Sequence, residues 1–121
     1  MKIENIKFKA KRLDGKGWAI GDLLHSYENG AIIVPIEGGG AFSVDPSTVC
    51  QFTGLKDQDE NDIFEGDLLA EKRFPMYEVG YANSEFAASY IGENTFIFKL
   101  PALSKGCVVC GSIYDRKGGE K

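Results

Sequence analysis

The chain has 121 residues, of which 43% are hydrophobic and 26% charged, which is typical of one globular domain, here residues 1–121. Its 14 basic and 18 acidic side chains give a formal net charge of −4, which argues against a general nucleic-acid-binding protein. No apolar run approaches membrane-spanning length and the first residues lack the apolar segment of a signal peptide, so we expect a cytoplasmic protein without membrane contact.

The first predicted element is a strand over residues 5–12 in which lysines alternate with apolar residues. This period of two places the lysines on one face of the strand. The pattern has two interpretations, because such a row binds phosphates but also protects an edge strand against aggregation. The candidate interaction surface consists of Lys7, Lys9, Lys11 and Arg12.

Four further strands are predicted in the first half of the chain, over residues 18–25, 31–36, 41–44 and 48–53. Glu37 to Gly40 separates two of them and indicates a hairpin turn, because a phosphate loop needs a following helix and a Gly-Lys-Ser/Thr ending. His25, the only histidine, ends the first of these strands. No nucleophile motif accompanies it, which favours a surface histidine over a catalytic base.

Residues 51–57, Gln-Phe-Thr-Gly-Leu-Lys-Asp, are followed after a polar turn by Ile-Phe-Glu-Gly-Asp at residues 63–67. This pattern resembles the signature of the YopX family of small phage and prophage proteins. Residues 7–22 resemble the opening of the family and residues 110–115 its closing strand. The signature positions present in this chain are Gln51, Phe52, Thr53, Gly54, Leu55, Asp57, Glu65, Gly66, Asp67, Gly111, Ile113 and Tyr114.

The resemblance implies an all-β accessory protein of a phage or prophage, located in the cytoplasm of the host cell, with no settled activity. This chain departs from the family in the turn of the signature. Relatives usually carry Asn-Gly there, whereas this chain has Asp59-Glu60. A two-residue type I′ turn requires positive φ at both central residues, so the sequence does not favour that turn here.

Two Gly-Asp pairs, Gly21-Asp22 and Gly66-Asp67, lie within apolar segments, the second in a strand predicted over residues 63–72. Each pair predicts a bulge or bend, in which glycine adopts a φ that other residues avoid and aspartate accepts backbone hydrogen bonds. Two bends predict one small, curled, partly closed, barrel-like sheet of short, mainly antiparallel strands.

Residues 84–91 fit two structures equally well. The alanines and the spacing of the apolar residues fit a short helix near 84–91. The alternation of Phe86, Ala88 and Tyr90 with the residues between them fits a hairpin over residues 85–100 instead. The remaining strands are predicted over residues 77–82, 95–100 and 107–114.

Three cysteines, an odd number, argue against a disulfide framework. Cys107 and Cys110 have the spacing of a redox or zinc motif, but side chains three apart in a strand point to opposite faces. We therefore interpret them as ordinary strand residues. A zinc site would need Cys50 or His25 as further ligands.

The carboxylates give no clear site. Residues 57–61 begin like a calcium loop, but Asp62 replaces the required glycine and Leu68 the closing glutamate. Glu65 and Asp67 fall on one face of the predicted strand, which fits a solvated strand as well as an acid and base pair. We expect no catalytic residue, no metal and no cofactor.

Two classes of function remain. The first is a non-enzymatic interaction module that binds a host or phage protein, with self-association as an alternative. Within this class, nucleic-acid binding through the N-terminal basic strand is less favoured. The second is a metal-dependent hydrolase, or a hydrolase accessory, that uses Asp and Glu side chains. Such an enzyme normally shows a histidine and acid cluster, so we expect that the protein is not an enzyme.

Overall fold

The computed structural model describes residues 2–115 and confirms the all-β expectation. The chain forms two compact units, Met1–Phe52 (unit 1) and Thr53–Lys121 (unit 2). The expectation of a single domain over residues 1–121 stays a prediction. No helix in the described part of the chain is long and apolar enough to span a membrane.

Unit 1 is an antiparallel sheet with the strand order β4-β3-β2-β1-β5. The strands are β1 (Phe8–Lys11), β2 (Trp18–His25), β3 (Ala31–Val34), β4 (Phe42–Val44) and β5 (Cys50–Lys56), which continues into unit 2. Short 3-10 helices occupy Ile3–Asn5, Tyr27–Asn29 and Pro46–Thr48. β2 has the predicted bounds, whereas β1 begins three residues late because a 3-10 helix precedes it.

The core of unit 1 lies on one face of its sheet. Alternate residues of neighbouring strands meet there and exclude water, which supplies the main driving force for folding. The buried residues are Ala10, Ala19, Ala31, Ile33 and Val44, with Phe8, Leu23, Phe42 and Val49 packed against them.

Unit 2 contains a five-stranded antiparallel sheet with the order β10-β9-β8-β7-β11. Its elements are β6 (Asp62–Phe64), β7 (Asp67–Glu71), β8 (Phe74–Ala82), β9 (Glu85–Tyr90), β10 (Phe98–Lys99), α1 (Leu100–Ser104) and β11 (Val108–Ser112). β6 pairs with the second half of β5. Within residues 2–115 neither sheet closes into a barrel.

Residues 85–90 form strand β9, so the alternative of a short helix near 84–91 is wrong. β9 pairs with β8 along its whole length, and Phe86, Ala88 and Tyr90 lie opposite residues of β8. The helix lies instead at Leu100–Ser104, where Pro101 stands in the first turn. Proline is tolerated there because the first turn needs no amide donor.

The bend predicted at Gly66-Asp67 is confirmed, and it divides the strand predicted over residues 63–72 into β6 and β7. Gly66 has φ +86°, and its N–H donates to the Val79 carbonyl at 2.8 Å. The buried Asp67 carboxylate accepts the Phe64 N–H at 2.8 Å.

Gly21 is different, because it does not adopt the left-handed φ that was predicted for it. Gly21 lies inside β2 opposite Phe8, and its φ lies outside the left-handed region. A Cβ atom at this position would stand 2.7 Å from the Cα of Pro35. Glycine is therefore required at residue 21 by close packing against the backbone of β3 and the residue after it.

We expect Gly66→Val to lower the free energy of unfolding by roughly 1–3 kcal/mol, because a β-branched residue is strained at φ +86°. Urea denaturation measures the change. Gly106→Val is the matched control, because Gly106 has no left-handed φ and its Cβ would meet only the Leu103 carbonyl at 4.0 Å. Equal losses in both variants would contradict the explanation.

Two hairpins of unit 2 have two-residue turns with positive φ at both positions, the geometry of type I′. Asn83 and Ser84 join β8 to β9 with φ values of 54° and 67°. Lys72 and Arg73 join β7 to β8 with φ values of 55° and 84°. Asparagine tolerates this conformation, whereas each long side chain costs roughly 1–2 kcal/mol there.

We expect the double change Lys72→Asn/Arg73→Gly to raise the free energy of unfolding by about 1–2 kcal/mol, because Asn-Gly is the preferred sequence of a type I′ turn. Thermal and urea unfolding both report the gain. A loss of stability would show that Lys72 and Arg73 make contacts that offset their strain.

Candidate functional site

The lysine row lies on β1, which is an interior strand. β1 pairs with β2 on one side and with Cys50 and Gln51 of β5 on the other. The interpretation of these lysines as protection of a sheet edge is therefore wrong. The alternating pattern predicted which face they share, but not which strands flank them.

The three lysines contact aromatic rings of unit 1. The ammonium group of Lys7 lies 4.6 Å from the centroid of Phe52, and Lys9 and Lys11 lie 4.5 and 4.9 Å from Trp18. Such cation–π contacts stabilise by roughly 0.5–1 kcal/mol at exposed sites. Trp18 is thus half-buried beneath two lysine side chains.

Arg12 is separate from the lysines. Its guanidinium lies 4.1 Å from the ring of Phe42, which packs on the core of unit 1, and it pairs with Asp14 at 2.5 Å. The structure therefore brings together three of the four candidate residues. Their role as an interaction surface stays a prediction.

The sheet face of unit 1 opposite its core carries apolar side chains that remain accessible to water. Ile20 is 47% exposed and Leu24 52% exposed, whereas the intervening residues of β2 face the core. Cross-strand partners extend this surface onto β3, whose outward residues are half-buried. We call this surface the apolar face; it consists of Ile20, Asp22, Leu24, Ile32 and Val34.

Asp22 lies among the apolar side chains of this face, and Lys9 of the neighbouring strand β1 lies directly opposite Ile20 at its border. Asp22 is exposed, and lies directly opposite Val34 between Ile20 and Leu24. A shallow cleft of about 300 Å³ adjoins the face and is lined by Lys7, Ile20, Pro35, Ile36 and Glu37. The surface thus combines apolar side chains with one carboxylate and is bordered by the lysines of β1.

Sequence reasoning missed the apolar face, although a signal was present. Ile32, Ile33 and Val34 form an uninterrupted apolar run, whereas a strand with one solvated face alternates apolar and polar residues. Such a run predicts that both faces of β3 are apolar. Only one of them is covered by the core of unit 1.

The resemblance of residues 57–61 to a calcium loop is explained by backbone contacts. Asp57 is 4% exposed, and its two carboxylate oxygens accept the N–H groups of Asp59, Asn61 and Val109 at 2.7–2.9 Å. Burial alone would raise the pKa of Asp57, but these donors hold it below its ordinary value. The carboxylate is a structural acceptor that joins the hairpin to β11.

The turn itself confirms that Asp59-Glu60 does not form a two-residue type I′ hairpin. The Asp57 N–H donates to the Asn61 carbonyl, which closes a three-residue loop, and Glu60 has φ +67°. This is the type I turn with a following bulge that three-residue hairpin loops adopt.

Other signature residues also serve the fold of the chain. Gly54 has φ +86°, and the neighbouring Thr53 hydroxyl accepts the Leu55 N–H and donates to the Ile63 carbonyl. Near the other end of the signature, the Ile113 N–H donates to the Gly66 carbonyl and the Tyr114 N–H to Ser112 Oγ. Gly111 lies in β11 opposite Leu68, and the Gln51 side chain is exposed.

The cysteines differ in exposure, as expected for strand residues. Cys107 belongs to the core of unit 2, which also contains Leu69, Val79 and Leu100, whereas Cys110 is exposed on β11. Burial raises the pKa of the Cys107 thiol, and the Glu71 carboxylate adds to this shift. A raised pKa disfavours the reactive thiolate.

The structure does not bring the remaining candidate residues, His25, Glu65 and Asp67, together into a site. His25 is exposed at the end of β2, beside a cleft of about 360 Å³ with mostly apolar walls. Glu65 and Asp67 do not share a strand face, because Glu65 lies in the turn before Gly66. Across residues 2–115 no group of three or more His, Cys, Asp or Glu side chains could hold a metal ion.

A family model described as "YopX protein" matches residues 7–117, which is nearly the whole chain. No curated protein matches the sequence.

Proposed function

The chain belongs to the YopX family, and we propose that it is a phage or prophage accessory protein that acts in the host cytoplasm by binding another protein molecule. The proposal assigns it no catalytic step. The family match supports the accessory role in general terms, and the apolar face of unit 1 supports binding in particular.

One observation carries the proposal, namely the exposure of Ile20 and Leu24 in the middle of a sheet. Burying exposed apolar surface yields about 25 cal/mol per Å², so covering these side chains favours association. Contiguous apolar surface on a soluble protein typically marks a contact site. Sheet faces are also rigid, which lowers the entropy lost on binding.

Asp22 defines the chemistry of the partner. A partner that covers Ile20 and Leu24 also removes water from the neighbouring carboxylate, which is unfavourable unless a cation or donor replaces the water. We therefore propose a protein segment with apolar side chains and with polar groups that can pair with Asp22 and with Lys9, which lies directly opposite Ile20. The net charge of −4 opposes the approach of a phosphate backbone.

The test is capture of proteins from host cells that carry the phage, with tagged wild-type protein and tagged Leu24→Glu as baits. We expect the wild type to retain a partner that Leu24→Glu loses, because a buried unpaired carboxylate opposes docking. Tyr27→Glu is the matched control, since Tyr27 is 95% exposed and lies outside the apolar face. Calorimetry with the purified partner then measures its affinity for the wild type and for each variant.

Nuclease treatment of the lysates separates protein from nucleic acid as the partner. We expect capture to survive nuclease, and mixed-sequence oligonucleotides to show no binding near physiological salt. Salt-sensitive oligonucleotide binding that is lost in the Lys7, Lys9, Lys11→Glu triple variant would make the protein a nucleic-acid-binding module instead. Equal capture by wild type and Leu24→Glu would also overturn the proposal.

A further inference from the structure

The segment between β9 and β10 crosses the face of the unit 2 sheet that lies away from its core. Side chains of β8 and β9 alternate between the two faces, so Glu78, Gly80 and Ser89 point away from the core residue Val79. The segment contacts all three of these outward residues. We call residues 92–97 the strap, and the face that they cross the outer face of unit 2.

Phe96 makes the apolar contact between the strap and the outer face. A Cβ atom added to Gly80 would stand 2.4 Å from Cε1 and 2.6 Å from Cζ of the Phe96 ring, so the ring lies against the backbone of β8. Glycine leaves room for this close approach, which any side chain would obstruct. Gly80 is buried and lies opposite Ala87 of β9, so the ring rests on a strip of small residues.

The middle of the strap is held by few other contacts. Two hydrogen bonds reach the outer face, from the Gly92 N–H to Glu78 Oε1 and from the Thr95 N–H to Ser89 Oγ, both at 3.0 Å. Phe96 is half-buried, whereas the other five residues of the strap are exposed. All six residues are described by the structure, and none of them belongs to a strand.

Both ends of the strap are fixed to the sheet. Before the strap, the Ile91 N–H donates to the Met76 carbonyl at 3.1 Å, and the Glu93 N–H closes a turn onto the Tyr90 carbonyl at 3.1 Å. After it, Phe98 pairs with β9 and packs on the core of unit 2. A segment with fixed ends and few buried contacts in its middle opens at a lower free-energy cost than the sheet beneath it.

We propose that the strap opens and closes over the outer face of unit 2 while the sheet stays folded, with Phe96 as its latch and Gly80 as the seat of that latch. Opening exposes the backbone at Gly80 and the hydroxyl of Ser89, which is buried in the closed state. The strap therefore controls access to this face. The inference concerns unit 2 alone and does not depend on the apolar face of unit 1.

Hydrogen exchange of the full chain, followed by NMR at urea concentrations below the unfolding transition, tests the proposal. In the wild type we expect the Gly92 and Thr95 amides to exchange at rates that do not depend on urea, because opening of the strap exposes little surface. The amides that pair β8 with β9 exchange through unfolding of the sheet, so their rates rise with urea.

Two variants release the latch in different ways. Phe96→Ala deletes the ring, whereas Gly80→Ala places a methyl group where the ring lies and forces it away. Gly80 has no left-handed φ, so alanine is not strained there. In both variants we expect the Thr95 amide to exchange about tenfold faster, still without dependence on urea. Ile97→Ala is the matched control and leaves this rate unchanged, because Ile97 is 69% exposed.

Exchange of the Gly92 and Thr95 amides that rises with urea as steeply as that of the β8–β9 amides overturns the inference, because the strap then opens only with the sheet. An unchanged Thr95 rate in both latch variants overturns the role of Phe96. The wild type alone decides whether opening is local, so the test stands even if one variant fails to fold.

Discussion

Asp57→Ala is expected to lower the free energy of unfolding by about 3 kcal/mol, because it leaves three backbone N–H groups without their acceptor. These donors belong to Asp59, Asn61 and Val109, at 2.8, 2.9 and 2.7 Å from the carboxylate oxygens. The loss of the Val109 contact also detaches β11 from the hairpin. Urea denaturation followed by tryptophan fluorescence and circular dichroism measures the change.

The same carboxylate has a predictable dependence on pH. Its pKa in the folded protein lies below the ordinary value, so its contribution is complete above the unfolded pKa of about 3.9. The contribution is lost as pH falls through the lower folded pKa. We expect the difference in stability between wild type and Asp57→Asn to be constant near pH 7 and to shrink at acid pH.

Asp59→Asn is the control for this measurement, because Asp59 lies in the same turn with an exposed side chain. Its free energy of unfolding near pH 7 should match that of the wild type. A difference between wild type and Asp57→Asn that does not shrink in acid would show that the carboxylate charge is not what the N–H groups stabilise.

Gly21→Ala is expected to destabilise the protein by about 3 kcal/mol, with a larger loss for Gly21→Val. The added methyl group would stand 2.7 Å from the backbone at Val34 and Pro35, and backbone atoms cannot move aside as a side-chain end can. The clash can be relieved only if β2 and β3 move apart near the point of their closest approach. The denaturation midpoints of Gly21→Ala and Gly21→Val test whether the valine variant loses more stability than the alanine variant.

Gly30→Ala is a useful comparison, because the new methyl group meets mainly the hydroxyl of Ser26, which can rotate. We expect a smaller loss there. If Gly21→Ala is as mild as Gly30→Ala, the sheet of unit 1 adjusts more readily than its close packing indicates.

The sequence predicted the strands whose pattern is local. The bounds of β2 and the bend at Gly66 follow from alternation and from the conformational freedom of glycine. Residues 84–91 were ambiguous because alanine suits a helix, and only pairing with β8 selects the strand. Such pairing is a tertiary effect that overrides propensity.

The candidate site was harder to predict, for the same physical reason. Alternation placed Lys7, Lys9 and Lys11 on one face, but the interior position of β1 depends on pairing with residues more than forty positions away. Similarly, the run Ile32 to Val34 does not reveal which face of β3 remains exposed. Both properties depend on long-range topology, which a local pattern does not contain.

The hydrogen bond between Asp57 and Val109 joins residues 52 positions apart, and this separation has a consequence during synthesis. At about 5–20 residues per second, a ribosome adds the intervening segment in roughly 3–10 s. Throughout that interval the hairpin of residues 51–67 lacks the Val109 N–H, which is one of the three backbone donors to the Asp57 carboxylate. The nascent chain therefore cannot complete this turn until β11 has left the ribosome, and truncation before residue 109 leaves the turn incomplete.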